Sequence, residues 1–219
     1  MADSIADIRR EHVMGSLSEA DTNPDPIEQF RVWFGDALAA GLLQPNAMTL
    51  STVDADGRPN ARVVLLKGFD ESGFVFYTHR TSRKGEELAA NPHAALTFFW
   101  DSLERQIRIQ GSVEWTTDAE SDEYFQRRPR GSQLGALISK QSAVIANREV
   151  LEQSLAELTA KVGDEPLQRP ATWGGYRIVY LFQRPETMEP AWRKACAEMV
   201  PGSWLVSLEF TVPGVPPAG

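Results

Sequence analysis

The 219-residue sequence has little of what metal sites and disulfides require. It contains one cysteine, Cys196, and three histidines, His12, His79 and His93. A single thiol cannot form a disulfide within the chain or supply a cysteine metal cluster. The histidines do not stand at the spacing of zinc-binding motifs, so we expect no metal site.

Long apolar runs and several common motifs are also missing. No run approaches the about 20 apolar residues that cross a bilayer, and the charged opening MADSIADIRREH lacks the apolar stretch of a signal peptide. We therefore expect a cytoplasmic protein without membrane contacts. The net charge of −8 argues against a nucleic-acid partner. The chain has neither a G-x-x-x-x-G-K-[ST] loop nor a G-x-S-x-G elbow, so nucleotide hydrolysis and serine hydrolysis are poor interpretations.

Positive charge is nevertheless concentrated in two places. The stretches RTSRK (80–84) and RRPR (127–130) hold six of the 22 Lys and Arg residues. A charge run is usually a solvated face. In an acidic chain, such an island also suits a small anionic ligand, and a phosphate ester would fit.

The apolar pattern predicts a mainly β (α+β) fold, an antiparallel barrel with flanking helices. Helices are expected from Pro26, over 82–90, from Thr117 and over 148–162. The predicted strands, read as a β-meander, are 47–53, 62–69, 74–78, 94–100, 105–115 and 173–182. We divide the chain into a mobile N-terminal arm (1–25), a barrel domain (26–182) and a C-terminal segment (183–219).

One predicted strand, RVVLLKGF (62–69), carries a cation near each end. Its four consecutive apolar residues, 63–66, suit a strand that is covered on both faces. Arg62 and Lys67 are five positions apart, and side chains alternate along a strand, so the two should point to opposite faces. This arrangement permits two anions, one on each side.

The helix over 82–90 begins with a second unusual pairing of charge and position. Ser82 is a good N-cap, which places Arg83 and Lys84 in the first turn. Cations there oppose the helix dipole. A bound anion would reverse that effect, because the N–H groups of the first turn, the Ser82 hydroxyl and both cations could face one phosphate. Alternatively, both side chains simply point into water.

Several motifs together identify a family. Arg62 and Lys67 on one strand, YT (77–78), SRK (82–84), ERQ (104–106), YFQRRPRGSQLGA (124–136), SKQS (139–142) and WGGYR follow one another in this order. The set resembles pyridoxine (pyridoxamine) 5′-phosphate oxidase over about residues 5–178. The resemblance implies an FMN-binding split β-barrel that forms a homodimer, with two flavin sites at the subunit interface.

The resemblance also implies an activity in pyridoxine (vitamin B6) biosynthesis. Pyridoxine 5′-phosphate or pyridoxamine 5′-phosphate is oxidised to pyridoxal 5′-phosphate, hydride passes from the substrate C4′ to flavin N5, and oxygen is reduced to hydrogen peroxide. The protein would supply orientation and phosphate anchoring, so no strong general base need appear in the sequence.

The family's binding residues carry over to matching positions. The flavin phosphate would be held by Arg62, Ser82, Arg83 and Lys84. The flavin would also contact Tyr77, Thr78 and Gln106 of the same chain, and Gln141 and Ser142 of the partner chain. The substrate phosphate would be bound by Lys67, Tyr124, Arg128 and Ser132, and Lys67 also counts among the cofactor residues.

The sequence departs from the family after WGGYRIV. A Phe-Trp-Gln-Gly strand and an Arg-Leu-His-Asp-Arg run are missing; these normally carry flavin contacts and the arginine and histidine over the reacting end of the substrate. No catalytic residue is therefore assigned. A shifted reading frame near residue 180 would produce this pattern, as would divergence. Two alternatives follow: a non-catalytic protein that binds FMN or pyridoxal phosphate, and a flavin reductase on the same barrel.

Overall fold

The structure is a computed structural model that describes residues 4–5 and 22–179, and the backbone of residues 209–210. Most of the predicted N-terminal arm and nearly all of the predicted C-terminal segment lie outside these residues, so the domain boundaries stay predictions. Within the described part of the chain, no helix is both long and apolar enough to cross a membrane.

Seven antiparallel strands form a curled half-barrel. They are β1 (Ala47–Val53), β2 (Pro59–Leu65), β3 (Gly68–Asp70), β4 (Gly73–His79), β5 (His93–Trp100), β6 (Arg105–Trp115) and β7 (Trp173–Val179). Their spatial order is β2-β1-β5-β6-β7-β4-β3, and a two-residue strand, β8 (Glu209–Phe210), pairs in parallel with β6. The predicted fold class is confirmed. The predicted meander is wrong, because β7 lies between β6 and β4.

Five helices flank the sheet. They are α1 (Pro26–Ala39), α2 (Arg83–Ala90), α3 (Asp118–Arg127), α4 (Arg130–Ile138) and α5 (Glu149–Val162), and a 3-10 turn at Asp101–Leu103 connects β5 to β6. The predicted capping box of α3 is present, since Thr117 and Glu120 bond each other's backbone N–H groups. Helix α4 was not predicted, because a proline and two glycines make RPRGSQLGA resemble a loop.

The core lies between α1 and the inner face of the half-barrel. Phe30 of α1 is fully buried, and its ring centroid lies 4.9 Å from that of Phe74 and 5.3 Å from that of Phe98. The inner face adds Leu50, Leu96, Ile107 and Ile178. Each aromatic pair contributes about 0.5–1.5 kcal/mol beyond its buried area, so α1 is held firmly on the sheet.

The outer face of β1, β2, β5 and β6 carries exposed apolar side chains. Val63 on β2 is 67% exposed and Phe99 on β5 is 60% exposed. The expectation that residues 63–66 are covered on both faces is therefore wrong for the single chain. The strand also ends at Leu65, so Lys67 lies in the connection to β3 and strict alternation does not relate it to Arg62.

The glycines of the WGGYR stretch allow β7 to approach its neighbours closely. A Cβ on Gly175 would collide with the Thr116 side chain and would lie 2.8 Å from the ring of Tyr77. Gly85 has a similar role in the first turn of α2, where a Cβ would collide with the carbonyl of Arg80. At both positions a side chain larger than hydrogen would not fit. The two glycines therefore let the backbones of β7 and α2 lie close to the end of β4.

Candidate functional site

A cavity of about 690 Å³ opens between the end of β4, the start of α2 and the junction of α3 with α4. This volume lies within the range of small-molecule sites. Four cationic side chains line it, those of Lys67, Lys84, Arg127 and Arg128, and no Asp or Glu is among the lining residues. In a chain with a net charge of −8, such a cavity selects for an anion.

Among the described residues, Arg128 is the cavity residue with an unsatisfied hydrogen-bond donor that a ligand could bind. It follows α3 directly, and its guanidinium carbon lies 4.6 Å from the ring centroid of Trp173. Its Nη1 atom is buried and has no hydrogen-bond partner among the described residues. Burial lowers the pKa of Arg128 from its ordinary value. A buried donor without a partner costs about 1–3 kcal/mol, and an anionic ligand would supply the missing acceptor.

The other residues predicted to bind the substrate phosphate are brought to the same cavity. Lys67, Tyr124 and Ser132 all line it with Arg128. The Lys67 Nζ atom lies 6.0 Å from the ring centroid of Tyr124. Tyr124 in turn stacks on Tyr77, with ring centroids 4.1 Å apart and an interplanar angle of 19°. The cationic side chains of Lys67 and Arg128 therefore lie along one side of the cavity, beside the stacked rings of Tyr77 and Tyr124.

Lys84 is the cation most deeply embedded in the site. Its Nζ atom donates to Gln141 Oε1 at 2.9 Å and to the hydroxyls of Thr78 and Ser82 at 3.2 Å each. Burial and the charge of Arg62 lower the pKa of Lys84 to about 8, although Glu87 opposes the shift. Lys84 is therefore mostly protonated at pH 7 and presents a positive charge to the cavity.

Ser82 serves as the N-cap of α2, as predicted. Its side chain accepts from the Gly85 N–H and donates to the His79 carbonyl at 2.7 Å. It is fully buried and does not line the cavity. The hydroxyl's hydrogen is already used by the His79 carbonyl, and the phosphate contact assigned to this hydroxyl stays a prediction.

Arg62 and Arg83 converge on a residue that was not predicted, Glu87. The carboxylate of Glu87, 4% exposed, lies 2.8 Å from Arg62 Nη2 and 3.0 Å from Arg83 Nε. It also accepts from Asn60 and Thr52. Neither arginine lines the cavity. The signal that could have revealed this pairing is the i, i+4 spacing of Arg83 and Glu87 on α2.

Gln141 and Ser142 were predicted to reach the site of a partner chain, but here they contact their own. Gln141 Oε1 accepts from Thr78 Oγ1 at 3.0 Å as well as from Lys84. Ser142 Oγ accepts from the Arg83 N–H at 3.1 Å, and Ser142 has a φ of 72°, an uncommon value for a non-glycine residue. The segment therefore supplies acceptors to donors that had been assigned to the flavin phosphate.

Gln106 is a further predicted site residue that does not line the cavity. It lies on β6 opposite Phe99, and β6 is three strands away from β2, about 14 Å across the sheet. Conversely, His79 and Trp173 line the cavity although no role was predicted for them. Trp173 belongs to the WGGYR stretch, which was used as a family signal without a function for its first residue.

Comparison with known proteins identifies the family of this chain. The sequence profile of the family described as pyridoxamine 5′-phosphate oxidase matches residues 34–161. The chain belongs to the pyridoxamine 5′-phosphate oxidase family. It is 57% identical over 175 residues to a pyridoxine/pyridoxamine 5′-phosphate oxidase of Cupriavidus necator, covering 80% of this chain and 82% of that protein. A protein of the same name from Burkholderia thailandensis is 55% identical over 186 residues, covering 85% and 84% of the two chains.

Solved structures agree with the family and the fold. PhzG from Burkholderia lata, in complex with tetrahydrophenazine-1-carboxylic acid, superposes with a TM-score of 0.70 at 32% identity, covering 74% of this chain and 79% of PhzG. An FMN-binding protein of Nostoc punctiforme, related to pyridoxamine 5′-phosphate oxidase, superposes with a TM-score of 0.55 at 18% identity, covering 68% and 79%. The second comparison shows the shared fold, a split barrel with flanking helices.

Proposed function

We propose that this protein oxidises pyridoxine 5′-phosphate and pyridoxamine 5′-phosphate to pyridoxal 5′-phosphate with FMN as cofactor and oxygen as acceptor, which is reduced to hydrogen peroxide. The observation that carries the proposal is the convergence of Lys67, Tyr124, Arg128 and Ser132 on one cavity, with Arg128 Nη1 buried and lacking a partner among the described residues. The names of the relatives support the same activity.

The residues at the start of α2 fit the phosphate of FMN. Lys84 brings a buried positive charge, and the first-turn N–H of Arg83 already meets an acceptor, Ser142 Oγ, at 3.1 Å. A phosphate oxygen could take the place of that hydroxyl and would gain from the helix dipole. When bound, FMN would supply the acceptor for the hydride that leaves C4′ of the substrate.

The protein's own contribution is to anchor and orient the substrate. Lys67, Arg128 and the hydroxyls of Tyr124 and Ser132 would hold the phosphate, since cations and hydroxyls together satisfy its oxygens. The stack of Tyr77, Tyr124 and Trp173 would limit the movement of the substrate against this wall. Fixing one end of a small molecule in this way supplies much of the entropic part of catalysis.

The uncovered outer face of the sheet supports the proposal of a homodimer. Val63 and Phe99 are exposed there, and Gln106 lies on the same face. Exposed apolar side chains of this size are usual where a second protein binds. A second copy packed on this face would bury both side chains and would cover Gln106.

The proposed function is tested by the visible spectrum of the protein supplied with FMN, before and after anaerobic addition of pyridoxine 5′-phosphate. We expect bound flavin to lose its visible absorbance on reduction and to regain it on exposure to air. Bound flavin that keeps its absorbance would contradict the oxidase proposal.

That second outcome would favour a non-catalytic protein that binds FMN or pyridoxal phosphate. The sequence lacks the family's C-terminal arginine and histidine motifs. The residues proposed to bind the substrate phosphate, Lys67, Tyr124, Arg128 and Ser132, are present. The converging set of these four residues suits the phosphate of a B6 vitamer, and it therefore favours the oxidase and the binding protein over a flavin reductase.

Replacing Arg128 by alanine should raise the KM for pyridoxine 5′-phosphate by about 10- to 100-fold while FMN stays bound. A hydrogen bond to a charged group contributes about 1.5–3 kcal/mol, and each 1.4 kcal/mol is a factor of ten. Steady-state kinetics and the flavin content of the purified variant measure both effects. Arg148→Ala, at the exposed N-cap of α5, is the control. If Arg128→Ala loses FMN instead, the division into two phosphate sites is wrong.

A further inference from the structure

His79 is a buried titratable residue in the cavity, and the proposed reaction gives it no role. It ends β4, is 6% exposed and lines the cavity beside Thr78. Its backbone is fixed, since its carbonyl accepts from both the N–H and the hydroxyl of Ser82. The ring therefore has a defined place next to the start of α2.

The surroundings of the His79 ring are cationic. Lys84 of α2 and Arg128 at the end of α3 are the charges that act on it most strongly, and burial together with these two lowers its pKa below 6.5. The cavity adds Lys67, Arg127 and two phenols, Tyr77 and Tyr124, but no carboxylate. Among the described residues, none hydrogen-bonds to either ring nitrogen of His79. Without a ligand, burial and the two cations therefore favour the neutral form of the ring.

A phosphate monoester would reverse this balance. It carries about −1.5 to −2 charges at pH 7. An opposite charge within about 4–6 Å typically raises the pKa of a basic group by 1–3 units. The ligand would also neutralise Lys84 and Arg128, the two cations that keep the ring unprotonated. The ring nitrogens would then have an acceptor within reach.

We propose that His79 takes up a proton when a phosphate monoester enters the cavity, and that the imidazolium then helps to hold the phosphate. The inference rests on the proposed function only for the identity of the ligand, either the phosphate of FMN or that of the B6 vitamer. The balance is simple: one proton leaves the solvent and binds a ring nitrogen. Binding should therefore tighten as the pH falls from about 8 to 7, where a phosphate monoester with a second pKa of about 6 keeps most of its dianionic charge.

Isothermal titration calorimetry at pH 7, in two buffers of different ionisation enthalpy, counts the protons taken up. Pyridoxine 5′-phosphate, FMN and inorganic phosphate serve as separate probes, so that the phosphate that His79 senses is identified. We expect an uptake of roughly half a proton or more for at least one phosphate monoester. Lys84, with a pKa of about 8, is already about nine-tenths protonated at pH 7 and adds at most about 0.1.

His79→Gln should abolish most of this uptake and weaken binding by roughly three- to tenfold at pH 7, with a smaller difference at pH 8.5. His93→Gln, at the exposed start of β5, is the matched control and should behave as the wild type. Equal uptake in the wild type and His79→Gln overturns the inference. Failure of all three probes to bind a protein that is folded by circular dichroism also overturns it.

Failure of this inference and failure of the proposed function are distinguishable. A protein that turns over pyridoxine 5′-phosphate without proton uptake at His79 retains the function and loses the inference. A protein that binds FMN or a B6 phosphate with His79-dependent proton uptake, but leaves the flavin absorbance unchanged, retains the inference and loses the proposed function.

Discussion

Replacing Arg83 and Lys84 together by alanine is expected to weaken FMN binding by about 10²- to 10⁴-fold. Each residue would lose a charge-assisted contact to the flavin phosphate, typically about 1.5–3 kcal/mol, and each 1.4 kcal/mol is a factor of ten. Fluorescence titration of FMN, whose emission changes on binding, measures the dissociation constant. Unchanged affinity in the double variant would contradict the assignment of these residues to the cofactor phosphate.

The structure predicts that the two single variants will differ. Lys84 is buried, lines the cavity and has no carboxylate partner among the described residues, whereas the Arg83 side chain is 66% exposed and pairs with Glu87. Most of the loss should therefore come from Lys84→Ala. The matched control is Arg148→Ala with Lys161→Ala, which removes the same charge from two exposed positions, the N-cap and the last turn of α5. A similar loss of affinity in this control would mean that the effect is only long-range electrostatics.

Local features of the sequence predicted the elements well and the sheet order poorly. The strands 47–53 and 105–115 coincide with β1 and β6, because alternating side chains and turn residues mark strand ends within the sequence itself. The position of β7 between β6 and β4 was missed, since it depends on pairing across more than 50 residues. No local pattern records which edge a distant strand will join.

The candidate site shows the same contrast between features that local sequence predicts and features that depend on distant residues. The residues grouped with Arg128 do line one cavity, although their role in binding phosphate stays a prediction; the RPRGSQLGA motif keeps Arg128 and Ser132 together in the sequence. Glu87 and His79 were missed, because their importance arises from residues that are distant in the chain: Arg62 in one case and Arg128 in the other. Charges that are compensated only in the folded state cannot be recognised from composition.

Replacing Glu87 by glutamine is expected to lower the free energy of unfolding at pH 7 by about 3 kcal/mol. Burial alone would raise the pKa of Glu87, but hydrogen bonds from Asn60, Thr52 and Arg62 outweigh it and lower the pKa from 4.5 to about 2. A shift of one pKa unit corresponds to about 1.4 kcal/mol, so the ionised carboxylate stabilises the folded state by about this amount. Glutamine keeps the shape but leaves Arg62 without its counter-ion.

The pH dependence separates this explanation from a simple packing defect. Because the folded-state pKa is depressed, the stabilisation is complete above about pH 5 and is lost as the pH falls from 4.5 towards 2. Urea unfolding of the wild type and Glu87→Gln at pH 7, 5, 4 and 3 should therefore show a difference that shrinks with acidity. Glu86→Gln, on the exposed side of the same turn, is the neighbouring control and should change stability little. If the difference in the free energy of unfolding between the two proteins is the same at pH 3 and pH 7, Glu87 stabilises the fold by its shape alone. The negative charge of Glu87 would then contribute nothing to holding Arg62.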